Sequence, residues 1–242
     1  MSAEAPRISI VFPAYNEAAS IRRTLELAHA YLERQAFDYE LIVSADGDDG
    51  TRETAQAVAK ERGRTTVLGD QQRRGKGHGV RSGVRAARGR IIGFSDADNK
   101  TPIEELEKIL PWFDQGYDLV IGSRASSEAL ITRRQPLYRR AGSRVFAAAM
   151  HVATGLWEIE DTQCGFKFFR DQVAHDLFGR QTVDGYMFDV EILALALKSR
   201  YRIRQVGIRW ADDGDSRLEL LSGNWRNMLD LLKISWRALT MR

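Results

Sequence analysis

The amino-acid sequence predicts an α/β fold with a mostly parallel central sheet and helices on both faces. Over the first 125 residues, short apolar runs alternate at least four times with stretches of helical periodicity, which is typical of parallel sheets covered by helices. The segments after these runs are polar or carry Gly, Pro or Asn, and such sheets bind ligands at the carboxyl ends of their strands. A chain of 242 residues without a linker or internal repeat favours a single domain.

Seven strands are predicted, with helices between most of them. The strands cover residues 8–12, 39–43, 65–68, 90–94, 119–121, 166–169 and 201–208. The first helix has an apolar stripe made by Ile21, Leu25, Ala28 and Leu32. Further helices are predicted over about 52–61, after Gly79, from Pro102, over 136–154, twice between the last two strands, and over 224–239. Thr101 and Glu104 have the spacing of a capping box around Pro102 at the first helical position.

The composition excludes several classes of protein. Hydrophobic residues make up 43% and charged residues 29% of the chain, which argues against disorder. Cys164 is the single cysteine and the four histidines show no metal-ligand spacing, so neither a disulfide framework nor a cysteine-rich zinc site is predicted. No apolar stretch reaches the ~20 residues of a membrane span, and no N-terminal stretch resembles a signal peptide. We therefore expect a cytoplasmic protein.

Two acidic residues follow the fourth predicted strand. In an extended chain, residues two apart point to the same side, so Asp96 and Asp98 can share one hard cation. Mg²⁺ or Mn²⁺ held by two carboxylates, with phosphate oxygens completing the shell, is common in nucleotide sites. Taken alone, the pair is more often a solvated turn, because Asp is a frequent turn former.

Three other polar segments carry candidate functional residues. Asp46 begins an Asp/Gly-rich segment after the second strand, and Lys76 lies between Gly75 and Gly77 in a basic loop that lacks the P-loop spacing. A group of arginines could bind phosphate oxygens in pairs or simply form a solvated basic face. This group contains Arg124, Arg133, Arg134, Arg139, Arg140 and Arg144.

Taken together, these motifs resemble family 2 glycosyltransferases in order and spacing. The matching segments of the first half are 13–17, 40–51, 75–83, 96–98 and 121–124. In the second half, the segments 161–167, 188–191 and 201–203 are similar to the branch that contains dolichyl-phosphate glucosyltransferase and dolichyl-phosphate mannose synthase. The resemblance covers residues 7 to about 218. Two departures are Ala45-Asp46-Gly47-Asp48 in the first acidic motif and Asp213 near the end of the match.

The resemblance implies a GT-A fold in a single domain. The nucleotide-sugar-binding half would cover about 7–125, the acceptor-side half about 126–218, and a C-terminal amphipathic helix 219–242. It also implies an inverting hexosyltransferase with a UDP- or GDP-linked donor, a divalent metal (Mg²⁺ or Mn²⁺) and a polyprenyl phosphate acceptor.

The resemblance also implies which residues of this sequence form the site, because the family's motifs match it position by position. The implied donor-binding residues are Pro13, Tyr15, Glu17, Asp46, Lys76, Asp96 and Ala97. The implied metal ligands are Asp96 and Asp98. The acceptor phosphate would bind Arg124, Arg140 and Arg144, and the implied catalytic residues are Arg124, Asp161, Lys167 and Glu191.

Several alternatives stay open at this point. An anionic phosphate acceptor needs no general base, whereas a small-molecule hydroxyl acceptor would need one from Asp161, Asp189 or Glu191. The C-terminal amphipathic helix could lie on an anionic bilayer or pack on the core. A nucleic-acid-binding module is disfavoured, since the acidic residues of the strand-end segments would repel a polyanion.

Overall fold

The computed structural model describes residues 4–131, 150–151, 154–211 and 225–240. Within these ranges, the predicted sheet is present with all seven strands. In chain order they are β1 (Ile8–Tyr15), β2 (Tyr39–Asp46), β3 (Thr65–Leu68), β4 (Ile91–Ser95), β5 (Leu119–Ser123), β7 (Phe166–Arg170) and β8 (Ile203–Gly207). A separate parallel pair joins β6 (Leu130–Ile131) and β9 (Arg209–Trp210).

The order of strands in the large sheet is β3-β2-β1-β4-β7-β5-β8. Only β7 runs against its neighbours, pairing antiparallel with both β4 and β5, so the prediction of a mostly parallel sheet is confirmed. Because of this reversal, the amino end of β7 lies at the same edge of the sheet as the carboxyl ends of the parallel strands.

Seven α-helices are described. They are α1 (Ile21–Leu32), α2 (Thr51–Arg62), α3 (Lys76–Ala86), α4 (Leu106–Asp114), α5 (Asp171–Arg180), α6 (Phe188–Lys198) and α7 (Trp225–Thr240), with a short 3₁₀ turn at Ile103–Glu105. Most of the helix predicted over 136–154 lies outside the described residues. One apolar core packs α1, α2 and α4 on one face of the sheet, and a second packs α3, α5 and α6 on the other.

Two predicted helix starts were wrong. The helix expected after Gly79 begins earlier, at Lys76, because Gly77 and Gly79 allow its first turn to lie close to its neighbours. A Cβ at Gly77 would be 2.6 Å from the Cβ of Phe188. The helix expected from Pro102 begins with the 3₁₀ turn at Ile103 and becomes α-helical only at Leu106, since Pro102 keeps an extended backbone with ψ near 140°.

A buried histidine connects α1 to the first residues of β2 and β3. The ring nitrogens of His29 in α1 lie 2.8 Å from the Tyr39 hydroxyl and 2.9 Å from the Thr65 hydroxyl. A neutral imidazole satisfies both hydroxyls, with one nitrogen donating and the other accepting. Burial lowers the pKa of His29, the charge of Glu33 opposes this in part, and the charges of Arg62 and Arg64 add to the effect of burial.

This histidine predicts a pH dependence of stability. Because its pKa is lower in the folded than in the unfolded chain, the unfolded chain binds more protons, and stability falls as the pH drops below about 6.5. We expect His29→Gln to be less stable at pH 7.5 but to lose less stability between pH 7.5 and 5.5. Urea unfolding at both pH values measures this, with a difference of at most about 1.4 kcal/mol per pH unit. Equal losses in the two proteins would contradict the prediction.

Candidate active site

Polar groups from five elements meet at the carboxyl edge of the sheet. Tyr15 and Asp46 are register partners at the ends of β1 and β2. Asp96 follows β4, and its backbone N–H donates to the carbonyl of Gly165, just before β7, at 3.1 Å. Lys76, the first residue of α3, contacts the side chain of Asp96. The fold therefore brings Lys76 and Gly165, which are distant in the chain, to the same aspartate, Asp96.

Each of the two predicted metal ligands lies next to a lysine. Lys76 Nζ is 2.7 Å from Asp96 Oδ1, and Lys100 Nζ is 3.3 Å from Asp98 Oδ2. Burial lowers the pKa of Lys76, but the carboxylates of Asp96 and Asp189 more than offset this and hold it above its usual value. Burial and the nearby charge of Asp96 raise the pKa of Asp98, against the opposing effect of Lys100.

Asp96 and Asp98 fit a divalent cation whose remaining ligands are phosphate and water rather than protein side chains. Asp96 and Asp98 supply hard carboxylate oxygens, both on partly exposed side chains. No cluster of three or more His, Cys, Asp or Glu side chains suited to a metal occurs within the described part of the chain. Mg²⁺ and Mn²⁺ sites with two carboxylates usually take their remaining ligands from phosphate and water. The donor set thus suits a cation that enters together with a phosphate ligand.

The loop before β7 approaches Asp96 so closely that a side chain at Gly165 would displace the Asp96 carboxylate, which favours glycine at this position. A Cβ at Gly165 would overlap both carboxylate oxygens of Asp96. Sequence reasoning did not select Gly165 as a site residue, although it lies inside the matching segment 161–167. This preference comes from the spacing between a loop and a side chain that only the folded structure reveals.

Arg124 forms a bidentate ion pair with Asp161, a residue of this same loop. The Nε and Nη2 atoms of Arg124 lie 2.7 and 2.9 Å from the two Asp161 oxygens, and its backbone N–H also donates to Asp161. Burial raises the pKa of Asp161, but Arg124 more than offsets this and lowers it. The Arg124 guanidinium also lies over the ring of Trp210 at 5.4 Å. Asp161 is therefore a charged partner that orients Arg124.

Lys167 is fully buried beside the same loop. Its ammonium donates to the carbonyls of Thr162 and Cys164 at 3.1 and 2.6 Å and to Asp189 Oδ1 at 2.5 Å. Burial raises the pKa of Asp189, although Lys167 and Lys76 both oppose this. The Lys167 side chain thus fixes the backbone of the loop, and its predicted catalytic role stays a prediction.

Glu191 lies on α6 with both carboxylate oxygens occupied. They accept hydrogen bonds from the backbone N–H groups of Thr182 and Val183, from the Thr182 hydroxyl and from Arg237. The side chain is buried. No described contact joins Glu191 directly to Asp96 or Asp98, so the structure does not place it with the central acidic pair.

Two of the predicted donor-binding residues, Asp46 and Tyr15, lie at the ends of neighbouring strands. Asp46 is buried, and its oxygens accept the backbone N–H groups of Asp70 and Arg74 at 3.4 and 2.9 Å. The ring of Tyr15 is 37% exposed, and the Arg73 guanidinium lies over it at 4.5 Å. Asp46 therefore organises the loop that ends at Lys76, and sequence reasoning did not assign Arg73 to the donor-binding residues.

The remaining predicted donor-binding residues are held by local contacts. The Glu17 backbone N–H donates to the Thr51 hydroxyl at 2.8 Å, and Ala97 is buried, its carbonyl accepting from the Thr24 hydroxyl at 2.7 Å. Pro13 lies half-buried in β1. Arg140 and Arg144, the other predicted acceptor residues, lie outside the described residues.

The comparisons identify the class of protein that this fold and site define. The model of the family described as "Glycosyl transferase family 2" matches residues 9–178. The chain belongs to this family, which confirms the resemblance drawn from its motifs. It is a glycosyltransferase, and its relatives place it with the hexosyltransferases of the family.

Several of its similar relatives are dolichyl-phosphate beta-glucosyltransferases. The chain is 35% identical over 240 residues to one from Trichomonas vaginalis, covering 94% of this chain and 70% of the relative. The Homo sapiens protein is 32% identical over 255 residues, covering 97% and 76%.

Solved structures confirm the predicted GT-A fold. Glucosyl-3-phosphoglycerate synthase from Mycobacterium tuberculosis, in complex with Mn²⁺, UDP-glucose and phosphoglyceric acid, superposes with a TM-score of 0.70 at 22% identity, covering 96% of this chain and 80% of that one. Mannosyl-3-phosphoglycerate synthase from Rubrobacter xylanophilus gives 0.66 at 17% identity, covering 97% and 73%.

The close approach of Gly165 to Asp96 leads to a test. We expect Gly165→Ala to displace the Asp96 carboxylate and to lower glycosyltransferase activity about tenfold or more, with about 1–3 kcal/mol lost in stability. Gly179→Ala is the matched control, because a Cβ at Gly179 in α5 has no neighbour within 4 Å and alanine favours a helix. Steady-state rates and urea unfolding measure both effects. Equal activity in the two variants would contradict the prediction.

Proposed function

We propose that this chain transfers glucose from UDP-glucose to a polyprenyl phosphate such as dolichyl phosphate, with inversion at the anomeric carbon and a divalent cation. The observation that carries the proposal is the pairing of Lys76 with Asp96 beside Asp98 at the carboxyl edge of the sheet. The similarity to dolichyl-phosphate beta-glucosyltransferases supports the acceptor and the sugar. A structural neighbour in complex with Mn²⁺ and UDP-glucose supports the cation and the donor.

Charge development explains the roles of the donor-side residues. As the bond between glucose and the diphosphate breaks, negative charge grows on the leaving diphosphate. Mg²⁺ or Mn²⁺ held by Asp96 and Asp98 would supply a positive charge there. Lys76 adds an ammonium whose raised pKa keeps it protonated at neutral pH. An interaction that strengthens as this charge grows lowers the barrier to transfer.

The buried carboxylates that could act as a general base are already engaged in ion pairs or hydrogen bonds, which favours a phosphate acceptor over a hydroxyl acceptor. A hydroxyl acceptor needs a general base. Asp161 is paired with Arg124, Asp189 with Lys167, and Glu191 accepts four hydrogen bonds from the 182–183 backbone and Thr182 together with one from Arg237. A phosphate acceptor is already an anion and needs only positioning, for which Arg124 and, by family resemblance, Arg140 and Arg144 are the candidates.

The acceptor and the metal can be tested together. We expect the wild-type protein with UDP-glucose and Mn²⁺ to glucosylate farnesyl phosphate but not farnesol, and GDP-mannose to replace UDP-glucose poorly. Asp98→Asn should lose about 100-fold or more in Mn²⁺-dependent rate, because it removes one of two carboxylate ligands. Radiolabelled sugar in the extracted lipid measures all of these outcomes.

A matched control uses Asp38→Asn, since Asp38 is an exposed carboxylate paired with Arg64 away from the site. It should keep its activity. Transfer to farnesol at a rate similar to that for farnesyl phosphate would favour the hydroxyl-acceptor alternative. Full activity of Asp98→Asn would overturn the assigned metal ligand.

We also propose that the protein acts at the cytoplasmic face of a membrane through α7. Within the described residues, no helix has the length and apolar character needed to span a bilayer. One face of α7 nevertheless exposes four large apolar side chains, Met228, Leu229, Leu232 and Trp236. A helix with such a face, bearing the exposed cation Lys233, suits the interface of an anionic bilayer.

Vesicle flotation tests this contact. We expect the wild-type protein to float with vesicles of phosphatidylcholine and phosphatidylserine, and Leu232→Ser/Trp236→Ser to bind about 30-fold less or weaker still, because each exposed side chain loses roughly 1–2 kcal/mol of burial. The control, Leu27→Ser, replaces a partly exposed leucine of α1 and should float like the wild type. Equal flotation of all three proteins would overturn the proposal.

A further inference from the structure

Glu191 links the C-terminal helix to a loop between α5 and α6. Its carboxylate accepts both N–H groups of Thr182 and Val183, at 2.8–3.1 Å. Arg237 of α7 donates to the same carboxylate at 2.6 Å and to the Thr182 hydroxyl at 2.7 Å. A buried carboxylate with this many donors holds its partners in one arrangement, since losing a neutral donor leaves a buried acceptor unsatisfied and losing Arg237 leaves its charge uncompensated.

This loop, residues 181–184, packs against the first turn of α3. The backbone N–H of His78 donates to the carbonyl of Asp184 at 3.2 Å, and Arg81 Nη2 lies 2.7 Å from Asp184 Oδ1. A Cβ at Gly77 would be 2.6 Å from the carbonyl of Val183. Contacts this close cannot absorb a shift of the loop without moving the helix, because packed interiors deform little.

The first turn of α3 carries Lys76, which contacts Asp96 at 2.7 Å. A chain of direct contacts therefore leads from Arg237 through Glu191 and the 181–184 loop to the donor-side lysine. Each step in this chain is a hydrogen bond, an ion pair or close backbone packing.

We propose that Glu191 and Arg237 are positioning residues for Lys76, and that through them the C-terminal helix sets the strength of nucleoside diphosphate binding. This inference rests on the proposed function, in which Lys76 faces the diphosphate of the donor. It gives Glu191 a role in the reaction without contact with substrate. It also makes the donor site sensitive to how firmly α7 is held on the body of the protein.

The test is the affinity for UDP in the presence of Mn²⁺, measured by titration calorimetry on the full chain. We expect Arg237→Met to bind UDP about five- to tenfold more weakly, in the range of ordinary coupling between sites. Lys233→Met is the matched control: it removes a cation from the same helix, but Lys233 is exposed and lies 3.8 Å from Asp230. Its affinity should stay within twofold of the wild type.

A double-mutant cycle shows whether the effect passes through Lys76. In the Lys76→Met background, Arg237→Met should weaken UDP binding by less than twofold, because the group that it positions is already gone. Thr182→Val provides a second route, since it removes the hydroxyl that contacts both Glu191 and Arg237 with little change in volume. It should weaken UDP binding in the same direction and also depend on Lys76.

The outcomes separate this inference from the proposed function. Wild-type protein that binds no UDP overturns both. Wild-type binding with unchanged affinity in Arg237→Met and Thr182→Val overturns the positioning role alone, as does a penalty that persists in full without Lys76. A Glu191→Gln variant that loses kcat but keeps its affinity for UDP would indicate a direct catalytic role instead.

Discussion

The geometry of the site depends on the contacts that the buried ammonium of Lys167 makes. An unpaired charge at a fully buried position would be strongly destabilising, and removing one partner of such a pair costs about 3–5 kcal/mol. The protein meets this requirement with two loop carbonyls and the Asp189 carboxylate. Because those carbonyls belong to Thr162 and Cys164, the same charge fixes the loop that places Gly165 against Asp96 and Asp161 against Arg124.

The antiparallel direction of β7 makes this loop part of the site. Inserted between β4 and β5, β7 begins at the edge where its neighbours end. The loop before β7 therefore faces the loop after β4, and the backbone of Asp96 donates to the carbonyl of Gly165. In a wholly parallel sheet, the segment 161–165 would lie at the far edge, away from Lys76 and the two aspartates.

Acids and bases at the site occur in matched pairs. Lys76 accompanies Asp96, Lys100 accompanies Asp98, and Arg124 accompanies Asp161. In the proposed function, a cation bound with a diphosphate presents both signs of charge at once. The ammonium of Lys76 can then exchange a carboxylate for a phosphate oxygen without leaving a buried charge unpaired. This accounts for a site that contains several basic side chains and still offers carboxylates to a metal.

Much of the fold and part of the site could be predicted because they depend on local patterns. Continuous apolar runs fixed the strands, and acidic residues directly after β4 indicated the carboxylate pair. The roles of Lys167 and Glu191 could not be derived in this way, since residue type does not reveal burial. Both are enclosed and fully engaged by neighbours distant in sequence. Gly165 is hidden for the same reason: the preference for glycine there comes from the position of the Asp96 carboxylate.

The C-terminal helix shows why two predictions for one amphipathic segment need not exclude each other. Packing on the core and binding to a bilayer were alternatives at the level of sequence, because a single apolar stripe serves one partner. In the structure, Ile234 is 2% exposed and packs on the body of the protein, whereas Trp236 is 68% exposed. The helix therefore has two apolar faces and an arginine, Arg237, directed to Glu191. A membrane surface bound by the exposed face of α7 would therefore hold the same helix whose Arg237 contacts Glu191 on the other side.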